Sequence, residues 1–253
     1  MTLLEDDKDL FDESHYDSSY FEGHLARYNS PVYGQRVRNV ERFMGDVQGQ
    51  RVLDLGCGVG FFGGLARQRG ARVVGLDFSE AALGIALKEQ SGMPLVRGDA
   101  TALPFPSDHF EAILLNDIIE HLADAPGRLM IEEVFRVLRP GGRLIVDTDN
   151  DAFVMQRKGL KRLNEWLERG TEQRKALVEI KKTFTAPTLH IKIYTVHELR
   201  ALLESVGFRI DAFDTYAYIA VGSRDAFFNL PGLRSLFRNV KGDVQIFRAV
   251  KPG

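Results

Sequence analysis

The chain has 253 residues, 44% hydrophobic, 10% aromatic and 27% charged, which excludes a disordered, collagen-like or disulfide-stapled protein. With 33 Lys+Arg against 35 Asp+Glu the formal net charge is −2, so no global field drives it onto nucleic acid or anionic lipid. One cysteine, Cys57, excludes an internal disulfide, no apolar run reaches the ~18 residues of a membrane span, and the acidic first residues are unlike a signal peptide, so a cytoplasmic protein without stable membrane insertion is expected.

Residues 1–45 read as an acidic N-terminal segment followed by a helical cap. Met1 to Glu22 holds eight acids and one Lys, then come Tyr16, Tyr20, Phe21, Tyr28 and Tyr33. A helix is predicted over Leu25–Phe43, with Val37, Val40 and Phe43 as its apolar stripe. Residues 46–150 form the core, where strands Arg51–Leu55, Arg72–Leu76, Pro94–Arg97, Phe110–Leu115 and Gly142–Asp147 alternate with helices Phe61–Arg69, Glu80–Glu89 and Arg128–Leu138. Arg139-Pro140-Gly141-Gly142 stops the last of these helices. Strand–helix alternation means crossover units, a parallel sheet and an α/β fold.

Residues 151–190 interrupt the alternation as a helical lid insertion. Asp151–Lys182 has nine Lys+Arg and four Glu, with Leu160, Leu163 and Leu167 at helical spacing around Trp166. This is either a solvated insertion or a cap that favours an anionic substrate. Residues 191–253 complete the same domain. Thr195–Val206 reads as a helix, and Phe208–Val221 and Asp243–Val250 read as two strands that add an antiparallel edge.

The most informative stretch is Val52-Leu53-Asp54-Leu55-Gly56-Cys57-Gly58-Val59-Gly60, a strand that ends in three alternating glycines and opens a helix. Such a loop lets a ligand approach backbone N–H groups at a helix N-terminus. Gly58-Val59-Gly60-Phe61-Phe62-Gly63 also satisfies the dinucleotide pattern, which keeps an NAD-dependent oxidoreductase open. Asp54 favours a different ligand, because a carboxylate there repels pyrophosphate and suits an ammonium group. Asp77, at the end of the next strand, can accept from ribose hydroxyls, and Asp99 after the third strand can meet an adenine amino group. A ligand with an amine, a ribose and an adenine but no phosphate is S-adenosylmethionine rather than NAD.

The series Val52–Gly60, Gly75-Leu76-Asp77, Gly98-Asp99-Ala100, Asp108-His109-Phe110-Glu111, Asn116–His121 and Leu138–Gly142 resembles the motifs of class I S-adenosylmethionine-dependent methyltransferases. It is similar to the small-molecule branch that includes ubiquinone-biosynthesis enzymes. The resemblance implies a Rossmann-like seven-stranded sheet, mostly parallel with its last strand antiparallel and helices on both faces. It also implies that Gly56, Cys57, Gly58 and Gly60 pass under the cofactor, with Asp54 near its methionine end. Asp77 would take the ribose hydroxyls, Phe78 would lie beside the adenine, Asp99 and Ala100 would meet the adenine edge, and Asn116 would stand at the mouth of the fourth strand.

The expected function is therefore methyl transfer to a small organic acceptor, at oxygen, with S-adenosylhomocysteine as product and no nucleic-acid partner. A retained cofactor site without turnover is the non-enzyme alternative. An acceptor hydroxyl needs a base, and His121 is the candidate, oriented by Glu120 or Asp117. Asp117, Glu120 and His121 at i, i+3, i+4 would share one helix face. With His190 they resemble the divalent-metal set of some ubiquinone-type and RNA-end enzymes, although Asp117 stands where those have Glu. The single cysteine lies in the glycine loop, so a cysteine-nucleophile mechanism lacks its residue.

Overall fold

The computed structural model describes residues 20–23, 28, 33–149, 191–216 and 244–253. In chain order they form α1 (Gly34–Met44), β1 (Arg51–Leu55), α2 (Phe61–Gln68), β2 (Arg72–Asp77), α3 (Glu80–Glu89), β3 (Leu95–Arg97) and β4 (Phe110–Asn116). A short 3-10 turn (Ile119–His121), α4 (Asp124–Val137), β5 (Leu138–Asp149), α5 (Val196–Val206), β6 (Arg209–Tyr216) and β7 (Val244–Val250) follow. The expected lid at 151–190, His190 and most of the acidic N-terminal segment lie outside the described residues.

The strand order is β3-β2-β1-β4-β5-β7-β6. β1 pairs in parallel with β2 and β4, β2 with β3, and β4 with β5. β7 is antiparallel to both β5 and β6, so it alone runs against the other six strands, as the resemblance implied. Chain order reverses between β1 and β4, and that switch point opens a crevice at the carboxyl edge of the sheet, where α/β folds bind ligands.

Alternation along the strands assigns each face its helices. Leu53 and Leu55 of β1, Ile113 and Leu115 of β4, and Leu144 and Val146 of β5 pack with Met130 and Val134 of α4 and Leu199 and Leu203 of α5. The intervening Val52, Ala112, Leu114 and Ile145 pack with Val40 and Phe43 of α1 and Phe62 and Ala66 of α2. Asp54, Asn116 and Asp147 fall in this second register, so all three address the face that α1 and α2 cover. Among the described residues, no helix is long and apolar enough to cross a membrane.

Several element boundaries differ from the sequence reading, and α1 runs Gly34–Met44 rather than Leu25–Phe43. α4 starts at Asp124 rather than Arg128, because Pro126 stands in the first turn, where its missing N–H breaks no helical bond. The segment predicted to stop that helix is itself the start of β5, which runs back to Leu138 and pairs it with Phe110 across a register shift. α5 matches its expected span. Its Thr195 side chain accepts from the Glu198 N–H while Glu198 reaches back to the Thr195 N–H, and Gly207 ends it in a left-handed conformation.

Candidate active site

The loop from Gly56 to Gly60 leaves β1 beside the end of β2. Gly56 has a φ of +65° and an added Cβ would lie 2.7 Å from Ile118 Cδ1, so both backbone and space require glycine. Gly58 differs. Its φ is +52°, and the nearest atom to an added Cβ is Phe21 Cε1 at 3.8 Å. A side chain at Gly58 would thus enter open space in front of the loop. That space is a cradle bounded by Phe21, whose ring packs on Val59 and Ala82.

Two carboxylates hold this loop. Asp77 Oδ2 accepts from the Gly58 N–H at 2.8 Å and Oδ1 from the Ser79 N–H at 2.9 Å. The Phe78 N–H also bonds this carboxylate, so three backbone donors fix its orientation at the end of β2. Burial raises the Asp77 pKa while these N–H groups oppose the shift. Asp54 Oδ2 accepts from the Gly63 N–H at 2.8 Å, in the first turn of α2. Asp54 is only 2% exposed, and burial pushes its pKa up to about 7, against the Gly63 bond. Asp54 therefore lies beneath the loop and anchors it, rather than lining an open end of the crevice.

The Asp54 anchor also explains the dinucleotide-like pattern. A Cβ on Gly63 would lie 2.8 Å from Asp54 Oδ2 and 2.9 Å from Met93 Sδ. Its third glycine is there so that α2 can settle onto Asp54. Cys57 donates its N–H to the Leu76 carbonyl at 3.0 Å, and its buried thiol has a pKa raised by desolvation and by the Asp54 and Asp77 charges. A thiol in that state is a packing group rather than a nucleophile.

Beyond β2, Gly98 donates its N–H to the Asp77 carbonyl at 3.0 Å, which sets Asp99 beside the same crevice. Asp99 is exposed and its Oδ1 accepts from both the Thr101 N–H and hydroxyl at 2.8 Å. Half-buried Ala100 packs on the main core, and the Phe78 carbonyl accepts from Arg97 Nε at 3.0 Å. Asn116 ends β4 opposite Asp147, 8% exposed, and neither of its amide atoms has a hydrogen-bond partner within the described structure. A buried amide in that state is suited to a polar ligand.

The residues expected to surround His121 are arranged differently from a helix face. Asp117 has a φ of +51°, outside any helix, and only Ile119–His121 form a turn. Asp117 pairs with Arg36 of α1, while buried Glu120 accepts from the Thr148 hydroxyl at 2.7 Å. Burial, with the charges of Asp117 and Asp149, raises the Glu120 pKa well above the carboxylate range. Asp117 and Glu120 thus each have a partner elsewhere in the fold, and a tight turn does not stack i, i+3 and i+4 on one face. Among the described residues no three His, Cys, Asp or Glu side chains gather as metal ligands.

The structure adds residues that the sequence reading did not single out. Arg36, 2% exposed, pairs with Asp117 and with Asp147 at the end of β5, and donates to the Tyr33 hydroxyl at 3.0 Å. Tyr216 of β6 donates its hydroxyl to the other Asp147 oxygen. Burial opposes the Arg36 charge, but Asp117 and Asp147 outweigh it and raise its pKa well above the usual value. Burial pushes Asp147 up to about 6 against the pull of Arg36. An acid at the end of a predicted strand, as at Asp54 and Asp77, could have marked Asp147. Arg36 stands at i, i+4 and i+7 with Val40 and Phe43, a spacing that could have marked it as a buried arginine.

Comparison with known proteins decides what this crevice belongs to. The family described as "Methyltransferase domain" matches residues 53–146, the span of the glycine loop, Asp77, Asp99 and Asn116. Residues 53–146 thus match a methyltransferase domain. The chain is 35% identical over 155 residues to a ubiquinone biosynthesis O-methyltransferase of Rhizobium rhizogenes, covering 57% of this chain and 62% of the relative. It is 35% identical over 108 residues to a demethylmenaquinone methyltransferase of Clavibacter sepedonicus, covering 42% and 43%. The matched stretch thus spans about half the length of these curated relatives. The chain shares its fold with a SAM-dependent methyltransferase from Archaeoglobus fulgidus, at 15% identity and a TM-score of 0.65 over 92% of this chain and 100% of the other.

Proposed function

We propose that the protein transfers a methyl group from S-adenosylmethionine to a hydroxyl of a small organic acceptor, leaving S-adenosylhomocysteine. The observation that carries this reading is the Gly58 cradle fixed to Asp77, where no described atom lies closer than 3.8 Å to an added Cβ. Asp54 beneath the loop disfavours a pyrophosphate there, against the oxidoreductase alternative. The residues fit the cofactor: Asp77 would hold its ribose, Phe78, Asp99 and Ala100 its adenine, and the loop with Asn116 its amino-acid end. When bound, the cofactor supplies an activated methyl carbon on a sulfonium.

The protein's own task is alignment, exclusion of water and handling of one proton. The cradle and the aromatic residues beside it, Phe21, Tyr28 and Phe61, cover the loop side. Asn116, holding the amino-acid end of the cofactor at the β4 mouth, would set the methyl group beside the acceptor. His121, just beyond, is the candidate to take the acceptor proton. The name of the Rhizobium relative supports transfer to oxygen. We place the protein in the cytoplasm, acting on a small molecule.

The test is incubation with methyl-labelled S-adenosylmethionine and a panel of catechols, phenols, quinol precursors, sugars and carboxylates. Label in a methyl ether supports the proposal, and label found only on nitrogen or carbon refutes the oxygen assignment. With an acceptor in hand, His121→Ala should slow turnover by ~10²–10⁴-fold. Unchanged turnover in a folded variant removes His121 as the base.

A further inference from the structure

We infer that Arg36 is a positioning residue that couples the acceptor half of the crevice to the cofactor loop. The inference rests on the proposed use of S-adenosylmethionine. Arg36 reaches from α1 to the mouths of two strands, pairing with Asp117 after β4 and Asp147 at the end of β5. On its other side the guanidinium lies over two rings, 5.4 Å from the centroid of Tyr33 and 5.9 Å from that of Phe62. Tyr28 continues the contact. Its ring stacks on Phe61 at 4.6 Å and meets Tyr33 edge-on at 4.8 Å.

Phe61 and Phe62 open α2 directly after Gly60, and Gly63 of the same turn is the group that Asp54 anchors. A continuous packed path therefore runs from Asp117 and Asp147 through Arg36 and the aromatic group to the first turn of α2. Asp117 sits at one end of this path. Its left-handed backbone, rare for a non-glycine residue, is held by the Arg36 pair and by its N–H bond to the Asp147 carbonyl at 3.0 Å. Removing the guanidinium leaves two acids facing each other and releases α1 from the sheet edge. The first turn of α2 then loses its aromatic support, and the loop loses its fixed shape.

Hydrogen exchange on the ligand-free protein comes first, followed by S-adenosylhomocysteine dissociation measured by stopped flow. In Arg36→Met, amides of Tyr33–Met44 should exchange at least tenfold faster while β1 and β4 stay protected. S-adenosylhomocysteine should leave at least tenfold faster, with an intermediate effect in Arg36→Lys. Tyr28→Leu should also speed dissociation, and its effect should not add to that of Arg36→Met. Unchanged exchange over Tyr33–Met44 overturns the inference. So does full additivity, or faster dissociation without faster exchange, since either makes Arg36 a direct cofactor ligand. If Arg36→Met fails to fold, Arg36→Lys and Asp147→Asn carry the same measurements with the same outcomes. A wild-type protein that binds no S-adenosylhomocysteine refutes the proposed function, and the exchange result still decides whether Arg36 holds α1 to the sheet edge.

Discussion

Gly56, Gly58 and Gly84 sit close in sequence, yet an alanine at each should act through a different force. At Gly56 the added methyl meets Ile118 at its Cδ1 (2.7 Å), Cβ (3.2 Å) and Cγ1 (3.3 Å), so a rotamer change cannot relieve the contact. Overpacking of this kind costs ~1–3 kcal/mol, and the left-handed backbone adds roughly 1–2 kcal/mol. Gly56→Ala should therefore lose ~2–5 kcal/mol of stability. At Gly58 only the backbone cost applies, about 1–2 kcal/mol, because no described atom lies closer than 3.8 Å. The methyl instead occupies the cradle, so binding suffers more than folding does. At Gly84, within α3, nothing lies within 4 Å, and alanine should stabilise by roughly 0.5–1 kcal/mol through helix propensity. Urea denaturation and S-adenosylhomocysteine titration on all three variants separate the effects. A Gly58→Ala variant that binds like wild type, or loses affinity only in proportion to stability, refutes the cradle.

Two buried carboxylates should give opposite pH signatures. Asp54 is raised from 3.8 to about 7, so its contribution to stability is full below the unfolded value and is lost as pH rises through about 7. The stability of wild type relative to Asp54→Asn should fall between about pH 4 and pH 7 by up to a few kcal/mol, since each tenfold change in proton affinity is worth about 1.4 kcal/mol. A pH-independent difference would contradict the buried anchor. Glu111, hydrogen-bonded by Arg51 and paired with Arg139, is lowered from 4.5 to about 2. Its contribution is full above 4.5 and lost as pH falls through about 2. Because both arginines are partly exposed, Glu111→Gln should cost about 1–2 kcal/mol at pH 7 and little near pH 2, as read by urea midpoints.

The fold was legible because its information is local and repeated. Strand–glycine–helix junctions, Asp77 at a strand end and the Pro140-Gly141-Gly142 break each report on a few neighbouring residues. The cofactor half of the site was legible for the same reason. β1, β2 and β3 are adjacent in the sheet, so Gly58, Asp77 and Asp99 converge once the crossovers are right-handed. The acceptor half was less legible. Arg36 lies 81 residues from Asp117, and their pairing depends on α1 crossing to the β4 and β5 mouths. Arg36, Val40 and Phe43 stand at i, i+4 and i+7, so the periodicity of α1 does put Arg36 on the buried face, but nothing local names its two acidic partners. The helical reading of Asp117 to His121 failed because spacing does not reveal that Asp117 adopts a left-handed backbone.

The central claim is that the crevice beside Gly58 and Asp77 takes S-adenosylmethionine rather than a dinucleotide. Isothermal titration of the full chain with S-adenosylhomocysteine, and separately with NAD, tests it directly. The account predicts a 1:1 complex with S-adenosylhomocysteine, Kd on the order of micromolar, and no heat of binding with NAD. Binding of NAD alone would contradict it.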